Sequence, residues 1–196
     1  MSLLEALIGQ AQYPKGLVGD VMLKIMNKAH SSMISWAFHG IAIKEDAIML
    51  DIGCGGGQTI HRFAKKYKLA RIYGVDISPQ SVETSTYKNR VAVASGRVSI
   101  STGQVSALPF HEDTFDLITA VQTHYFWPDL INDVQEVFRV LRPKGTFIIV
   151  SEIYKINYHM HSFTQNEEIE QLFRQVGFKT VRIQKNRSWR CYVGTK

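Results

Sequence analysis

Residues 47–57 read A-I-M-L-D-I-G-C-G-G-G. An apolar run at positions 48–50 ends in a carboxylate, Asp51, and the chain then enters a cluster of four glycines at positions 53 and 55–57. This pattern is typical of a buried strand followed by a tight turn and a helix. Glycines in such a turn allow positive φ and a close approach of the backbone to a ligand. The N–H groups at the start of the next helix favour an electron-rich ligand group.

The glycine spacing narrows the choice of ligand. A dinucleotide site requires G-x-G-x-x-G, so that a pyrophosphate can bind at the helix end. Gly53, Gly55 and Gly57 form G-x-G-x-G instead, and Gln58 stands where a third dinucleotide glycine would be. The spacing favours a nucleoside ligand without a diphosphate, and it leaves an NAD-dependent oxidoreductase as a weaker alternative.

Strand and helix patterns alternate along the rest of the chain. This alternation predicts a parallel sheet with helices on both faces, and the last two strands form a hairpin. Strands are predicted at 47–52, 71–76, 98–102, 115–121, 146–151, 178–184 and 189–194; helices are predicted at 21–39, 58–67, from Ser78-Pro79 onward, 128–141 and 166–176.

Four segments in order resemble the motifs of the class I S-adenosylmethionine-dependent methyltransferases. They are D-I-G-C-G-G-G (51–57), R-I-Y-G-V-D-I-S-P (71–79), G-Q-V-S-A-L-P-F-H-E-D-T-F-D-L-I (103–118) and V-F-R-V-L-R-P-K-G-T-F-I-I-V (137–150). The resemblance implies an α/β fold with a doubly wound, mostly parallel seven-stranded sheet, helices on both faces and a C-terminal antiparallel hairpin. We expect one domain over residues 1–196, with an N-terminal helical lid (1–45), a cofactor-binding core (46–151) and a region containing a lid loop, a helix and the hairpin (152–196).

The same resemblance implies S-adenosylmethionine as cofactor, S-adenosylhomocysteine as product, and a set of binding residues. Asp51 would hold the amino-acid end of the cofactor or cap the amides of its own turn, and Asp76 would bind the ribose or cap the next helix. Relatives commonly carry Gly-Asp-Ala where this chain has Gly103-Gln104-Val105, so the amide oxygen of Gln104 would accept the adenine hydrogen bond, more weakly than a carboxylate. The remaining cofactor residues implied are Gly53, Cys54, Gly55, Ile77, Val105, Val121 and Gln122.

The segment after the fourth strand, residues 122–128, is rich in aromatic side chains and is expected to meet the methyl acceptor. His124 is the candidate general base because its ordinary pKa lies near neutrality, and Tyr125 is a second catalytic candidate. Phe126 and Trp127 either wall off the acceptor site or pack against the next helix. Candidate substrate-contacting or lid residues are Met26, Met33, Trp36, Trp127, Tyr154 and Tyr158, although a methionine stripe at helical spacing is also typical of plain core.

Motifs for base methylation do not occur in the chain. It lacks [DNS]-P-P-[YFW] after the fourth strand and a Pro-Cys pair. We therefore expect a small-molecule acceptor. A net charge of +6 keeps RNA or protein as an alternative acceptor, although the cations are scattered. A non-catalytic nucleoside-binding module is the third possibility.

Composition suggests a cytoplasmic protein. Two cysteines, Cys54 and Cys191, are expected as free thiols in a reducing compartment. The first ten residues include Glu5 and lack a basic region, so no secretory leader is expected. No apolar run reaches the ~20 residues that a membrane span requires. His159 and His161 lack a third ligand for zinc, so no metal is expected. The sequence does not select an oligomeric state.

Overall fold

The computed structural model describes residues 31–196, in which seven strands form one sheet. The strands are β1 (Ile48–Ile52), β2 (Arg71–Asp76), β3 (Val98–Thr102), β4 (Phe115–Val121), β5 (Leu141–Glu152), β6 (Thr180–Lys185) and β7 (Trp189–Thr195). The α-helices are α1 (Ser31–Ala37), α2 (Gln58–Lys66), α3 (Pro79–Lys88), α4 (Arg90–Ala94), α5 (Leu130–Val140), α6 (Ile153–His159) and α7 (Asn166–Val176), and 3₁₀ turns lie at Val105–Ala107 and His124–Phe126.

The sheet has the order β3-β2-β1-β4-β5-β7-β6. Strands β1 to β5 pair in parallel, with Leu50 of β1 opposite Tyr73 of β2 on one side and Ile118 of β4 on the other. The pairs β5–β7 and β6–β7 are antiparallel. This arrangement confirms the predicted mostly parallel sheet with a C-terminal antiparallel hairpin. The strand order reverses between β1 and β4, and in such sheets ligands bind beyond the carboxyl ends of the strands at that point.

Both faces of the sheet are buried, as a parallel sheet requires. Neighbouring residues of β1 point to opposite faces, so Met49 belongs to one apolar cluster and Leu50 to the other. The Leu50 side packs against α5 and α7, and the Met49 side packs against α1 and α2. The predicted helices on both faces are therefore confirmed.

Several predicted boundaries coincide with those observed, and others shift for identifiable reasons. Strands 71–76, 98–102 and 115–121 and helix 166–176 begin and end as predicted. The helix predicted from Pro128 instead begins at Leu130, because the Asp129 carboxylate caps it by accepting from the Ile131 and Asn132 amides, each at 3.2 Å.

Three further differences lie near the ends of the sheet. The predicted lid loop after β5 contains a helix, α6. Strand β5 begins at Leu141 rather than Thr146, so the R-P-K-G segment lies within it, with Lys144 at a φ of 67°. Helix α4 was not predicted. Of the predicted helix 21–39, the part before residue 31 lies outside the described residues.

Asp116 lies at the end of the sheet opposite to the predicted site, where it contacts two neighbouring strands. Its Oδ2 accepts from the Ile48 amide at 2.8 Å and lies 3.2 Å from the Arg142 guanidinium. Asp116 thus ties the start of β1 to the starts of β4 and β5. In the part of the chain from residue 31 onward, no helix is both long and apolar enough to cross a bilayer.

Candidate functional site

A cavity of about 380 Å³ lies beyond the carboxyl ends of β1, β2 and β4, at the point where the strand order reverses. Its volume is near the lower end of the ~300–1,000 Å³ typical of small-molecule sites. The described lining residues come from the ends of β1, β2 and β4, the segments that follow β1 to β4, the starts of α2 and α3, and α1. They are Ile34, Asp51, Ile52, Gly53, Cys54, Gly55, Gly56, Gln58, Thr59, Val75, Asp76, Ile77, Ser81, Gly103, Gln104, Val105, Val121, Gln122, Thr123, Phe126, Trp127 and Pro128.

The floor of the cavity is the glycine turn that follows β1. Gly53, Gly55 and Gly57 have φ values of 66°, 51° and 73°, which side-chain-bearing residues rarely adopt. A Cβ at Gly53 would come within 2.2 Å of the Thr123 hydroxyl oxygen. The Gly53 amide donates to the Val75 carbonyl at 2.8 Å, which holds the turn against β2. Both the backbone angles and the crowding therefore require glycine here.

Asp76, at the end of β2, joins the glycine turn to the next loop. One carboxylate oxygen accepts from the Gly55 amide at 2.7 Å, and the other accepts from the Ser78 amide at 2.9 Å. Burial raises the pKa of this carboxyl group, and the two amides partly oppose that rise. Ser78, not Asp76, caps α3, since its hydroxyl accepts from the Ser81 amide at 3.3 Å. The helix-cap alternative for Asp76 is therefore wrong.

Asp51 lies deeper in the same floor and is 2% exposed. Its Oδ1 accepts a hydrogen bond from the Thr119 hydroxyl at 2.6 Å. Burial raises the pKa of Asp51 to about 7, assisted by the nearby charge of Asp76 and opposed by the Thr119 hydrogen bond. Two buried carboxyl groups thus line the cavity, where they would stabilise a cationic ligand group.

The three residues expected around an adenine, Ile77, Gln104 and Val105, all line the cavity. Ile77 is 55% exposed although it lies beside the cavity, so its side chain is available to cover a flat ring. Gln104 and Val105 follow β3 and line the cavity from the neighbouring loop. Cys54 also lines it, and burial raises the pKa of its thiol well above the ordinary value, so it is not a thiolate nucleophile.

Residues 50–149 match the family model described as "Methyltransferase domain", which is slightly more than half of the chain. The chain belongs to the methyltransferase domain family. Cycloartenol-C-24-methyltransferase 1 of Oryza sativa subsp. japonica is 28% identical over 131 residues, which are 65% of this chain and 38% of the relative. Ajmaline N-methyltransferase of Rauvolfia serpentina is 30% identical over 112 residues, 57% of this chain and 38% of the relative. The chain therefore spans less than half the length of these relatives.

The fold is also similar to solved structures. The methyltransferase in complex with the Trm112 methyltransferase activator of Haloferax volcanii superposes with a TM-score of 0.74 at 19% identity. The match covers 90% of this chain and 94% of that one. At this identity the similarity concerns the fold, and it confirms the methyltransferase-type α/β sheet.

The two candidate catalytic residues of this methyltransferase-domain chain lie behind the cavity wall. His124 is 1% exposed, does not line the cavity, and has its Nδ1 3.0 Å from the Ser151 hydroxyl. Burial lowers the pKa of His124 to about 3, so the imidazole stays neutral. Tyr125 is also outside the lining, and its hydroxyl donates to Gln122 Oε1 at 3.3 Å. This geometry argues against the expected general-base role.

The expected lid residues are mostly placed elsewhere. Met33 is in the core on the Met49 side of the sheet, and Trp36 packs against Trp189 with ring centroids 5.6 Å apart. Tyr154 and Tyr158 are exposed on α6 and do not line the cavity. Trp127 does line it, and Met26 lies outside the described residues.

Sequence reasoning missed several lining residues. Ile34 contributes from α1, one position after Met33, so the predicted contribution of this helix was correct in element and wrong in residue. Phe126 was not missed, since a place in the wall of the site was one of its two stated alternatives, and it lines the cavity. Thr123 and Pro128 lie in the same aromatic segment, and Gln58 and Thr59 lie at the helix start that was predicted to face the ligand. Ser81, near the start of α3, had no such prediction.

Proposed function

We propose that this protein transfers a methyl group from S-adenosylmethionine to a small-molecule acceptor. The observation that carries the proposal is the cavity at the strand-order reversal, bounded by the positive-φ glycine turn and by Asp76. Membership of the methyltransferase domain family supports the reaction class.

The chemistry of the described lining residues fits this cofactor. Gly53, Gly55 and Gly56 line the cavity without side chains, so ligand atoms could approach the backbone of the turn closely. Asp51 and Asp76 would face the ammonium end and the ribose hydroxyls, respectively, and Gln104 would accept from the adenine amino group. The cofactor supplies an activated methyl group on a positively charged sulfur.

The protein's task is to position the acceptor and to exclude water. Holding a nucleophile about 3 Å from the methyl carbon, in line with the bond to sulfur, supplies much of the rate. Phe126, Trp127 and Ile34 are apolar lining residues outside the proposed cofactor contacts, and they would keep water away from the sulfonium. Such walls favour an apolar or flat acceptor over a charged polymer.

The acceptor atom differs among the relatives, whose names specify a C-methyltransferase and an N-methyltransferase. We therefore propose a small molecule without assigning its reacting atom. We also propose a cytoplasmic location, supported by Cys54 and Cys191, which are free buried thiols as a reducing compartment would keep them.

Calorimetric titration with S-adenosylmethionine and S-adenosylhomocysteine tests the proposal. We expect micromolar binding by wild type and a loss of about tenfold or more in Asp76→Ala, because hydrogen bonds to charged groups contribute ~1.5–3 kcal/mol. Asp46→Ala is the matched control: this exposed carboxylate precedes β1, at the end of the sheet away from the cavity. If wild type binds neither nucleoside, or binds NADH instead, the proposed function is wrong.

A further inference from the structure

Gln122 adopts a backbone conformation that its neighbours must maintain. It follows the last residue of β4 with a φ of 59°, in the left-handed region that non-glycine residues rarely occupy. Its side chain is 4% exposed, and the residue lines the cavity. Residues in such conformations persist only where the surrounding structure holds them, and they concentrate at functional sites. The contacts of the Gln122 side-chain amide therefore show which residues stabilise this backbone conformation.

The Gln122 amide makes a two-point contact with Glu152 at the end of β5. Gln122 Oε1 accepts from the Glu152 main-chain amide at 3.0 Å, and Gln122 Nε2 donates to Glu152 Oε2 at 2.7 Å. Only one orientation of the glutamine amide satisfies both groups, because the main-chain N–H only donates and the carboxylate only accepts. The pair joins the ends of two adjacent parallel strands.

The contact continues from Glu152 into α6 and returns to Gln122. Glu152 is the residue that precedes α6, and its carboxylate pairs with Lys155 in the first turn at 3.0 Å. At the other end of α6, the His159 ring stacks on Tyr125, with centroids 5.1 Å apart and planes 7° from parallel. The Tyr125 hydroxyl donates to the same Gln122 Oε1. These contacts form a closed ring of residues.

The ring lies directly behind the wall of the cavity. Phe126, which lines the cavity, packs edge-on against both Tyr125 at 4.6 Å and His159 at 4.8 Å between centroids. Trp127, the next residue, lines the cavity as well. A displacement of α6 would therefore remove the His159 ring from behind Phe126, the residue next to Trp127 in the cavity wall.

We propose that Gln122 is a positioning residue: through its paired hydrogen bonds with Glu152 it holds α6 against the turn 124–126 and so sets the aromatic wall of the cavity. A direct contact with the cofactor is the competing role for the same side chain. The description of this wall as the acceptor side rests on the proposed function, whereas the positioning itself does not.

Exchanging the two partners separates these roles. Q122E removes the donor and places two carboxylates at hydrogen-bond distance, so α6 should be released. The double variant Q122E/E152Q restores one donor and one acceptor at the paired positions while keeping the altered side chain at position 122. Q135E is the matched control. Gln135 is exposed on α5, so this substitution adds the same negative charge without changing a residue of the cavity lining.

Amide hydrogen exchange, measured by mass spectrometry without ligand, reports on α6 directly. In Q122E we expect the amides of 124–126 and 153–159 to exchange about tenfold faster or more, with the strands β1 to β4 unchanged, because the opening is local. The double variant should return to within about threefold of wild type, and Q135E should match wild type. If Q122E does not fold, the double variant alone is compared with wild type under the same criterion.

Binding of S-adenosylhomocysteine supplies the second readout. Under the positioning role, the affinity falls about tenfold in Q122E and recovers in the double variant, whereas a direct contact predicts no recovery. Unchanged exchange of α6 in Q122E, or a double variant that restores neither exchange nor binding, overturns the proposal. A wild type that does not bind S-adenosylhomocysteine overturns the proposed function and leaves the exchange result as the test of positioning.

Discussion

The Gly55 amide donates a 2.7 Å hydrogen bond to the carboxylate of Asp76, 21 residues further along the chain. This bond joins the glycine turn after β1 to the end of β2. Because the Ser78 amide holds the other carboxylate oxygen, the position of Asp76 is set by the fold before any ligand arrives. A carboxylate offers about four acceptor sites, so ribose hydroxyls can still bind to the remaining ones. The acid is thus both part of the turn and available to a ligand.

Alanine substitution at two glycines should separate backbone strain from crowding. Gly57 and Gly96 have nearly the same φ, 73° and 74°, but a Cβ at Gly57 would come within 2.2 Å of the Ser85 hydroxyl oxygen, whereas a Cβ at Gly96 has no atom within 4 Å. We expect Gly96→Ala to cost ~1–2 kcal/mol in free energy of unfolding from conformation alone. Gly57→Ala should cost ~1–3 kcal/mol more.

Urea unfolding followed by circular dichroism measures both glycine variants. Equal losses of stability in the two would show that the Ser85 side chain moves aside without cost. The proposed site gives a further contrast, because Gly57 directly precedes α2, between the lining residues Gly56 and Gln58, whereas Gly96 lies before β3. Only Gly57→Ala should weaken S-adenosylhomocysteine binding.

The raised pKa of Asp51 should make the protein less stable as the pH rises. The folded state holds the Asp51 proton up to a pKa of about 7, whereas the unfolded chain releases it near 3.8. The folded state therefore binds more protons between these values, and stability is lost across that window, by on the order of 3 kcal/mol. Asp51→Asn keeps a side-chain oxygen that can accept from Thr119 but has no titrating proton. We expect its free energy of unfolding, measured between about pH 4 and pH 7, to change less with pH than that of wild type. A parallel dependence in wild type and variant would contradict the prediction.

His124 should produce the opposite dependence. Its pKa is about 3 in the folded state and 6.5 in the unfolded chain, so the unfolded state takes up a proton first as the pH falls. Stability from neutral His124 is present above pH 6.5 and is lost progressively toward pH 3. We expect His124→Gln to reduce the loss of stability on acidification, and imidazole NMR signals of wild-type His124 to stay constant from about pH 5 to pH 8. Titration of this ring within that range would restore it as a proton-transfer candidate.

Substitution of Asp116 should lower stability without changing ligand binding, because Asp116 and the cavity lie at opposite ends of the sheet. Asp116→Ala leaves the Ile48 amide and the Arg142 guanidinium without their carboxylate partner. We expect a loss of ~1–3 kcal/mol in free energy of unfolding. Affinity for S-adenosylhomocysteine, compared at a temperature where both proteins are folded, should stay within about twofold. A large change in affinity would show that the two ends of the sheet are coupled.

The features that the sequence predicted well are local ones. The apolar strand, the carboxylate at its end and the glycines behind it lie within residues 47–57, and their spacing alone indicates the turn and the side on which a ligand lies. The start of α5 was placed two residues too early, because proline is common in the first turn of a helix and Pro128 directly precedes the actual cap, Asp129.

The features that sequence reasoning missed depend on tertiary contacts. Met33 and Ile34 are adjacent apolar residues of one helix, and only the packing of α1 on the sheet decides which of them faces the cavity. Helix α6 contains two isoleucines and two tyrosines, which are weak helix formers. Its Ile156 is fully buried, and its His159 stacks on Tyr125. Contact between Gln122 and Glu152 spans 30 residues, so no local pattern reveals it.

The position of β7 between β5 and β6 has a consequence for folding during synthesis. Strand β6 leaves the ribosome before β7, yet within the described sheet its only neighbour is β7. One edge of β5 and one edge of β6 therefore stay unpaired until β7, Trp189–Thr195, has been made. Unpaired strand edges on a nascent chain promote aggregation. Until residues 189–195 have paired with both strands, these edges are therefore open to association with other chains.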